Sequence, residues 1–491
     1  MQTYILKRLL LMIPTLFGIS LIVWAVVTAA PGEPGSQSFG EAQTQGGARG
    51  GESRRVFREQ FNLDKPLFWN DYVDLTAADV MDRIRIAADR ARPGKDRSEA
   101  DSELTDWGLY AVPALIAALE QSTDPRERAG VLLRLQVNAK RTGAARVGRR
   151  LSADEIRRNR EILAENQEID TRLALDLRNA SLANLGDPEA AAAMVRDIDA
   201  KAALWLAWYE GQRARWDWAG GERFRLRLFD TRFAKYWANL VRFDLGDSHV
   251  HKEPVLGLIL SRLPISITLS VTSLILAYLI SVPLGVWSAV RHRTRREQAV
   301  STVLFMLYSL PSFFVATLLL RYLGIGEPFK IIPVAGFESS DTFPLTTWQH
   351  IKDVAWHTVA PVFCMTYASF AGLSRYAKSG VLNVIRSDYI RTARSKGLSE
   401  PVVVIKHAVR NGIIPIITLL GTTLPVLVGG SVVIESVFKI PGIGYLIWDS
   451  ILQRDYNVVI GETLIVGVLV MIGILVSDIL YAVVDPRISY R

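Results

Sequence analysis

Long uncharged stretches alternate with charged ones along this chain, and several of the uncharged ones are long enough to cross a membrane. A helix needs about 20 apolar residues to span the hydrocarbon core. No charge falls between Arg8 and Glu33, and Leu9 to Ala30 meets that need. Leu263 to Val290, enclosed by Arg262 and Arg291, is a second span. Three more lie between Glu297 and Arg321, Asp353 and Arg375, and Arg410 and Glu435. A sixth, about Val458 to Val484, carries Glu462 near one end and Asp478 near the other. The pattern predicts an all-α polytopic membrane protein with six transmembrane helices. The first apolar run exceeds the roughly 7–15 residues of a signal-peptide core, so it reads as an uncleaved anchor.

Basic residues fix the sidedness. Lys7 and Arg8 precede the first span, and Arg291, Arg293, Arg295 and Arg296 separate the second from the third. Arg375, Lys378, Arg386, Arg391, Arg394, Lys396, Lys406 and Arg410 separate the fourth from the fifth. The alternate loops are sparse, with Arg321, Lys330 and Lys352 in one and Lys439 and Arg454 in the other. The positive-inside rule therefore places both termini and the two basic loops in the cytoplasm. The long segment after the first span falls outside, and long translocated domains largely escape the charge rule.

That segment differs in kind from the rest. Thr76 to Arg232 holds 27 Lys and Arg and 26 Asp and Glu, half of the charges in the chain. It is long enough for a domain of its own. Val112 to Leu119 reads as one helix, and Pro125 opens another that presents Ala129, Leu132, Leu133 and Leu135. Leu173 to Leu185 reads as a further helix, and Gly186-Asp187-Pro188-Glu189 supplies a cap and an N1 proline for the next. Paired short helices of this kind resemble HEAT-type repeats, with Gly108 to Leu135 the clearest unit; a plain helical bundle fits the pattern as well. Near-balanced charge gives this region no steer toward nucleic acid. Cys364 is the lone cysteine, which excludes a disulfide framework and a Cys-based zinc site.

The most informative loop runs Ser387-Asp388-Tyr389-Ile390-Arg391-Thr392-Ala393-Arg394-Ser395-Lys396-Gly397-Leu398. Asp388 is a candidate N-cap for a short helix through Lys396, and Gly397 a candidate C-cap where positive φ carries no penalty. A second helix is expected after Pro401. A capped helix with basic and small side chains, projecting from the membrane, suits docking into a groove on a soluble partner.

This loop resembles the EAA-type loop of ABC importer permeases, with Thr392-Ala393-Arg394 in the Glu-Ala-Ala place and Gly397 as the fixed glycine. Other segments resemble the dipeptide, oligopeptide and nickel permease branch: Tyr4 to Leu10 with Ile13-Pro14-Thr15, Phe61 to Leu67, and Phe243-Asp244-Leu245-Gly246-Asp247-Ser248. So do Leu310 to Phe314, Glu435-Ser436-Val437-Phe438 with Ile440-Pro441-Gly442-Ile443-Gly444, and Asp485-Pro486-Arg487-Ile488. These segments stand in family order over about residues 1–75 and 233–491. The departure is the insert at 76–232, where the family runs on almost directly.

The resemblance implies a type I importer permease moving peptides or related solutes across a bacterial inner membrane by alternating access. Its implied partners are a second homologous permease, two cytoplasmic ATPase subunits that dock on Asp388, Tyr389, Arg391, Thr392, Ala393, Arg394, Lys396 and Gly397, an extracytoplasmic substrate-binding protein, and membrane lipid. It also implies a candidate outer gate at Pro441, Gly442 and Gly444. The family handles peptide, nickel, opine and sugar-derived ligands. No Gly-x-x-x-x-Gly-Lys-Ser/Thr loop is present, so no cofactor is expected in the chain and ATP belongs to the partner subunits. The expected organisation is a first helix at 1–31, an extracytoplasmic segment at 32–75, the inserted helical domain at 76–232 and a pre-membrane segment at 233–261. The five-helix core then fills 262–485, with its coupling loop at 375–411, before a cytoplasmic tail at 486–491.

The remaining features read structurally. Asp478 lies about two helical turns from Asp485 and is read as reaching the cytoplasmic interface. His357 is read as a packed histidine without a metal-spaced partner, and His249 with His251 lacks a third ligand. Ser266, Thr268, Ser270, Thr272 and Ser273 suit close helix packing. The competing classes are a membrane-anchored scaffold or receptor acting through the insert, and a membrane-embedded enzyme. An intact docking loop disfavours the first, and the absence of a visible intramembrane catalytic pair disfavours the second.

Overall fold

The computed structural model describes residues 2–29, 55–56, 58–59, 61–143, 151–175, 188–325, 331–339, 346–413, 416–417, 419–420 and 429–484. Among them the fold is helical; no strand forms, and one isolated bridge joins Asp247 to Pro254. The chain divides into two compact units, one of residues 1–36 with 245–491 and one of residues 37–244. The second unit thus takes in segments that flank the 76–232 insert.

In the first unit, the helix Gln2–Ala29 packs along the helix Tyr456–Val484, and Arg8 meets Asp478 at 3.1 Å. Leu10, Ile13, Ile22 and Val26 remain exposed on it, as suits a face turned to hydrocarbon or to a partner helix. The helices Val255–Val290 and Thr347–Ile385 form the most extensive contact of the chain. Buried Ser270, Ser273, Ser281 and Ser288 along the first and Ser374 and Ala377 along the second bring the two close, as small residues do between spans.

Among the described residues, three helices are long and apolar enough to cross a membrane: Ile5–Ala29, Val255–Val290 and Tyr456–Ile479. The pair Arg295–Ser309 and Ser312–Gly324, bent by 89°, makes a fourth if it is one span. Pro311 explains the bend, because its ring cannot continue the preceding helix. The Leu310 carbonyl this leaves free accepts the Tyr367 hydroxyl at 2.6 Å. The six spans expected from the sequence are therefore not all accounted for. The fourth candidate lies within the 39-residue helix Thr347–Ile385, where His357, Thr358, Thr366, Tyr367 and Ser369 dilute the apolar content. The fifth falls largely outside the described residues, with Pro415 and Pro425, as does the closing Asp485-Pro486-Arg487-Ile488.

The second unit has its own core, built on Val80, Leu104, Leu115, Leu119, Leu132, Leu135, Ile169, Ile198 and Trp205. Val112–Gln121 and Pro125–Asn138 are helices, the latter opened by Asp124, whose side chain accepts from the Arg126 N–H. Two charged helices, Ala77–Ala88 and Ala153–Glu168, start at capping boxes formed by Thr76 with Asp79 and by Ser152 with Glu155. The helix expected over Leu173 to Leu185 does not start at Leu173: a π-turn ends there and Ala174 is extended. The Leu173 carbonyl accepts the Trp205 indole N–H at 3.1 Å instead of continuing a helix. Residues 176–187, with Gly186 and Asp187, lie outside the described residues, and Pro188 opens the helix Pro188–Gly211.

Candidate functional site

The helix Asp388–Ser395 stands at the end of the long helix Thr347–Ile385, one tight turn beyond it. Ser387, not Asp388, is its N-cap residue. The Ser387 hydroxyl donates backward to the Val384 carbonyl at 2.6 Å and so makes no cap bond. Asp388 sits in the first turn, where a carboxylate favours the positive helix end, and is 3.7 Å from Arg391. The helix closes one residue earlier than expected, with Lys396 as C-cap. Gly397 follows at φ +78° and its N–H donates to the Arg394 carbonyl at 2.9 Å. Nothing lies within 4 Å of the position a Cβ would take there, so the demand for glycine is conformational rather than steric.

Spacing divides this helix into two faces. Ile390 and Ala393, three apart, are buried against Ala289, Val381, Val403 and Ala408. Arg391, Arg394 and Lys396 point to solvent. Arg394 makes a paired contact to Glu400 at 2.6 and 3.1 Å, and these hydrogen bonds hold the Glu400 carboxyl below its ordinary value. Tyr389 accepts from the Asn411 amide at 2.9 Å, and the Thr392 hydroxyl donates to the Asp388 carbonyl at 3.1 Å. Thr392 thus serves its own helix, Ala393 anchors it, and the cations form the outward surface.

The root of this loop is rigid. A Cβ on Gly380 would lie 2.2 Å from the Gly412 carbonyl oxygen, so the long helix and the segment returning from the loop cross at backbone contact. Lys378 reaches Glu297 at 2.7 Å, and Glu297 also accepts the Ser301 hydroxyl at 2.7 Å. Local spacing could not disclose this half-buried pair, because its members are 81 residues apart.

At Pro441–Gly444 the structure assembles something the sequence did not disclose. Glu435 is fully buried. Its carboxylate accepts from Ser266 Oγ at 2.9 Å, from the Ser431 N–H at 3.0 Å and from the Tyr445 N–H at 3.1 Å. Ser266 in turn accepts from the Ile443 N–H at 2.7 Å. A Cβ on Gly442 would lie 2.4 Å from Ser266 Oγ and 2.5 Å from Glu435 Oε2, and one on Gly444 would lie 2.6 Å from the Val432 nitrogen. The Pro-Gly-x-Gly turn is small because it wraps a buried carboxylate. Of the serines and threonines read as packing residues, Ser266 instead fastens this turn.

The other singled-out residues find ordinary partners. Asp478 pairs with Arg8, and His357 lies 2.9 Å from the Asp353 carbonyl and 3.3 Å from its carboxylate. Asp353, four residues earlier, is a partner that the sequence reading did not assign to His357. His251 is 3.9 Å from Asp449, and among the described residues no group of three His, Cys, Asp or Glu is placed to hold a metal. Glu462 is buried in the last helix.

Apolar helices long enough to cross a membrane mark the first unit as that of a membrane protein. The model of the binding-protein-dependent transport system inner membrane component matches residues 281–490. The chain is 42% identical over 261 residues to the oligopeptide transport system permease protein AppB of Bacillus subtilis, covering 53% of this chain and 80% of that protein. It is 35% identical to the inner membrane ABC transporter permease protein YejB of Escherichia coli O157:H7, covering 53% and 72%. It is 34% identical to the glutathione transport system permease protein GsiC of Escherichia coli O6:H1, covering 55% and 83%. The chain belongs to this family of ABC transporter permeases, and is a multi-pass inner-membrane protein of transport rather than an enzyme family.

Proposed function

We propose that this chain is one of two permease subunits of a peptide importer, with both termini in the cytoplasm and residues 76–232 outside. The observation that carries the coupling assignment is the split of Asp388–Ser395 into a buried face, Ile390 with Ala393, and a cationic outer face. An ATPase subunit gripping the outer face moves the buried face with it. The motion passes to Val381 in the long helix and, through the Gly380–Gly412 crossing, to the following segment. Packed cores respond to such a push as units, which lets ATPase closure reorient the spans. Peptide is the proposed cargo because the relatives are named as oligopeptide and glutathione permeases. Pro441, Gly442 and Gly444 belong to a rigid outer turn beside the path.

ATP hydrolysis is assigned to the partner subunits, and this chain is assigned no cofactor and no nucleic acid partner. The test is reconstitution of the chain with its copurifying subunits in liposomes. ATP-dependent uptake of a labelled peptide is expected, with no turnover by the chain alone. A reporter fused after Arg150 should be active outside the cytoplasm and one after Ser399 inside. ATP turnover by the isolated chain, or reversed reporters, overturns the reading.

A further inference from the structure

The helix Arg232–Val241, near the end of the unit of residues 37–244, faces the opposite way from an ordinary surface helix. Phe233, Tyr236, Trp237, Leu240 and Val241 fall on one side of it, and Arg232, Lys235, Asn239 and Arg242 on the other. A helix of this pattern on a soluble domain turns its apolar side to the core. Here the polar side is the one bound to the rest of the unit. The Arg232 guanidinium donates to the Lys65 carbonyl at 2.7 Å and to the Leu63 carbonyl, and Lys235 pairs with Asp230 at 2.9 Å. Among the described residues that make the core around Leu115 and Trp205, none comes from the apolar side, and no residue of the helix is fully buried.

The apolar side continues onto a second segment of the unit. The Arg232 and Phe233 N–H groups donate to the Pro66 and Leu67 carbonyls at 2.9 and 3.1 Å, and the Phe68 ring lies 5.3 Å from that of Phe233. Phe68 and Trp69 are exposed, with the Arg227 guanidinium over the Trp69 ring at 6.0 Å. At the other end Val241 is 72% and Phe243 85% exposed. Phe243 also holds φ +57°, a region that strains a bulky residue. The backbone is thus strained to present an aromatic ring to its surroundings.

The chemistry and the chain path both point to lipid. Three cations and no acid lie between Arg232 and Arg242. Tryptophan and phenylalanine exposed beside lysine and arginine suit the membrane–water interface, with its apolar depth and phosphate groups. Phe243 precedes Gly246 by three residues, at most about 11 Å of chain, and the Gly246 carbonyl accepts the Val255 N–H at 3.0 Å. Val255 opens the membrane-crossing helix Val255–Val290, whose uncharged stretch starts only after Arg262. Its first two turns therefore stand at headgroup level, within reach of Phe243.

We propose that the apolar side of Arg232–Val241, together with Trp69 and Phe243, lies in the headgroup layer of the bilayer and seats the inserted unit on the lipid surface. That the lipid belongs to the outer leaflet rests on the topology reading above, whereas the contact with lipid does not.

The test uses the full chain in nanodiscs of phosphatidylcholine and phosphatidylglycerol. Cys364 is buried, and the unsubstituted chain serves as the labelling blank. Single cysteines are added by Trp69→Cys, Val241→Cys and Phe243→Cys, and by Glu161→Cys as a control in the charged helix Ala153–Glu168. All four positions are exposed, so the substitutions leave the fold intact. Each cysteine carries the same environment-sensitive fluorophore, and nitroxide-labelled phosphatidylcholine is the probe. The labels at 69, 241 and 243 should emit to the blue of that at 161. They should be quenched at least about twofold more, most strongly by a nitroxide near the headgroup, because an interfacial helix sits about 5–10 Å deep. A label at any of the three quenched no more than the one at 161 overturns the proposal; if it still emits to the blue, protein rather than lipid covers that side. The expected quenching with reversed fusion reporters keeps the lipid contact and overturns the topology reading alone. Absent quenching with the expected reporters overturns the lipid contact alone.

Discussion

Two loops carry most of the family resemblance, and they are built on opposite principles. At Asp388–Gly397 a helix is held to the bundle by two small apolar contacts, and its charges meet one another in solvent. At Pro441–Gly444 the backbone closes on a buried carboxylate with no room for a side chain. Exposed ion pairs are typically worth under about 1 kcal/mol. Leaving a buried carboxylate without a donor costs several times as much. The first loop can therefore change partners cheaply, and the second cannot move without breaking. The coupling and outer-gate roles proposed above call for these two designs.

The comparison is broken most severely at Gly442. Its Cβ would fall inside contact distance of both Ser266 Oγ and Glu435 Oε2. Gly442→Ala should cost roughly 3 kcal/mol or more through lost buried hydrogen bonds. The expected readout is a lower unfolding midpoint in detergent and poor recovery of assembled complex. An unchanged midpoint would mean that the Glu435 cradle does not hold the turn.

Gly380→Ala comes next. It forces apart backbones that touch at the root of the coupling loop, an overpacking change worth about 1–3 kcal/mol. The spans should still fold, and ATP-dependent peptide uptake should fall further than ATPase copurification does. If uptake matches wild type at equal membrane levels, motion does not pass through this crossing.

The two loops were not equally legible in the sequence. Gly397 was readable because a left-handed turn after a helix is a local event, and the turn is there at φ +78°. The short helix before it was readable for the same reason, although Ser387 rather than Asp388 occupies the cap position and the burial of Ile390 and Ala393, the latter expected among the docking residues, was not foreseen. Pro441, Gly442 and Gly444 stood out as a motif, but its cause did not, because Ser266 lies 169 residues from Glu435. Periodicity carries no information at that range. In the second unit, the Thr76–Asp79 and Ser152–Glu155 boxes were local signals that a search for apolar runs passed over, since the helices they open are mostly charged. Leu173 failed for the opposite reason: a distant indole took the carbonyl that a helix would have used.

Gly397→Val separates local geometry from the fold. The strain of a Cβ at positive φ is about 1 kcal/mol, and no described neighbour lies within 4 Å of that Cβ. The unfolding midpoint should stay near wild type while ATPase subunits are lost on purification or hydrolyse without transport. Wild-type uptake would show that this loop is not the coupling element.

The smallest effect is expected at Arg391, and it is the sharpest test of the cationic face. Among the described residues its one ion pair is a 3.7 Å contact with Asp388, and both side chains are largely exposed. Removing that contact changes the stability of this chain by well under 1 kcal/mol, so Arg391→Glu should melt like wild type. If the outer face meets acidic groups on an ATPase subunit, reversal of its charge turns an attraction into a repulsion across the interface. Copurification should then weaken a fewfold, and added salt should narrow the difference by screening both signs. Gly397→Val should show no such salt response, because backbone strain is not screened. A deficit in Arg391→Glu that is independent of salt would assign Arg391 to packing, and an absence of any deficit would move the docking charge to Arg394 and Lys396.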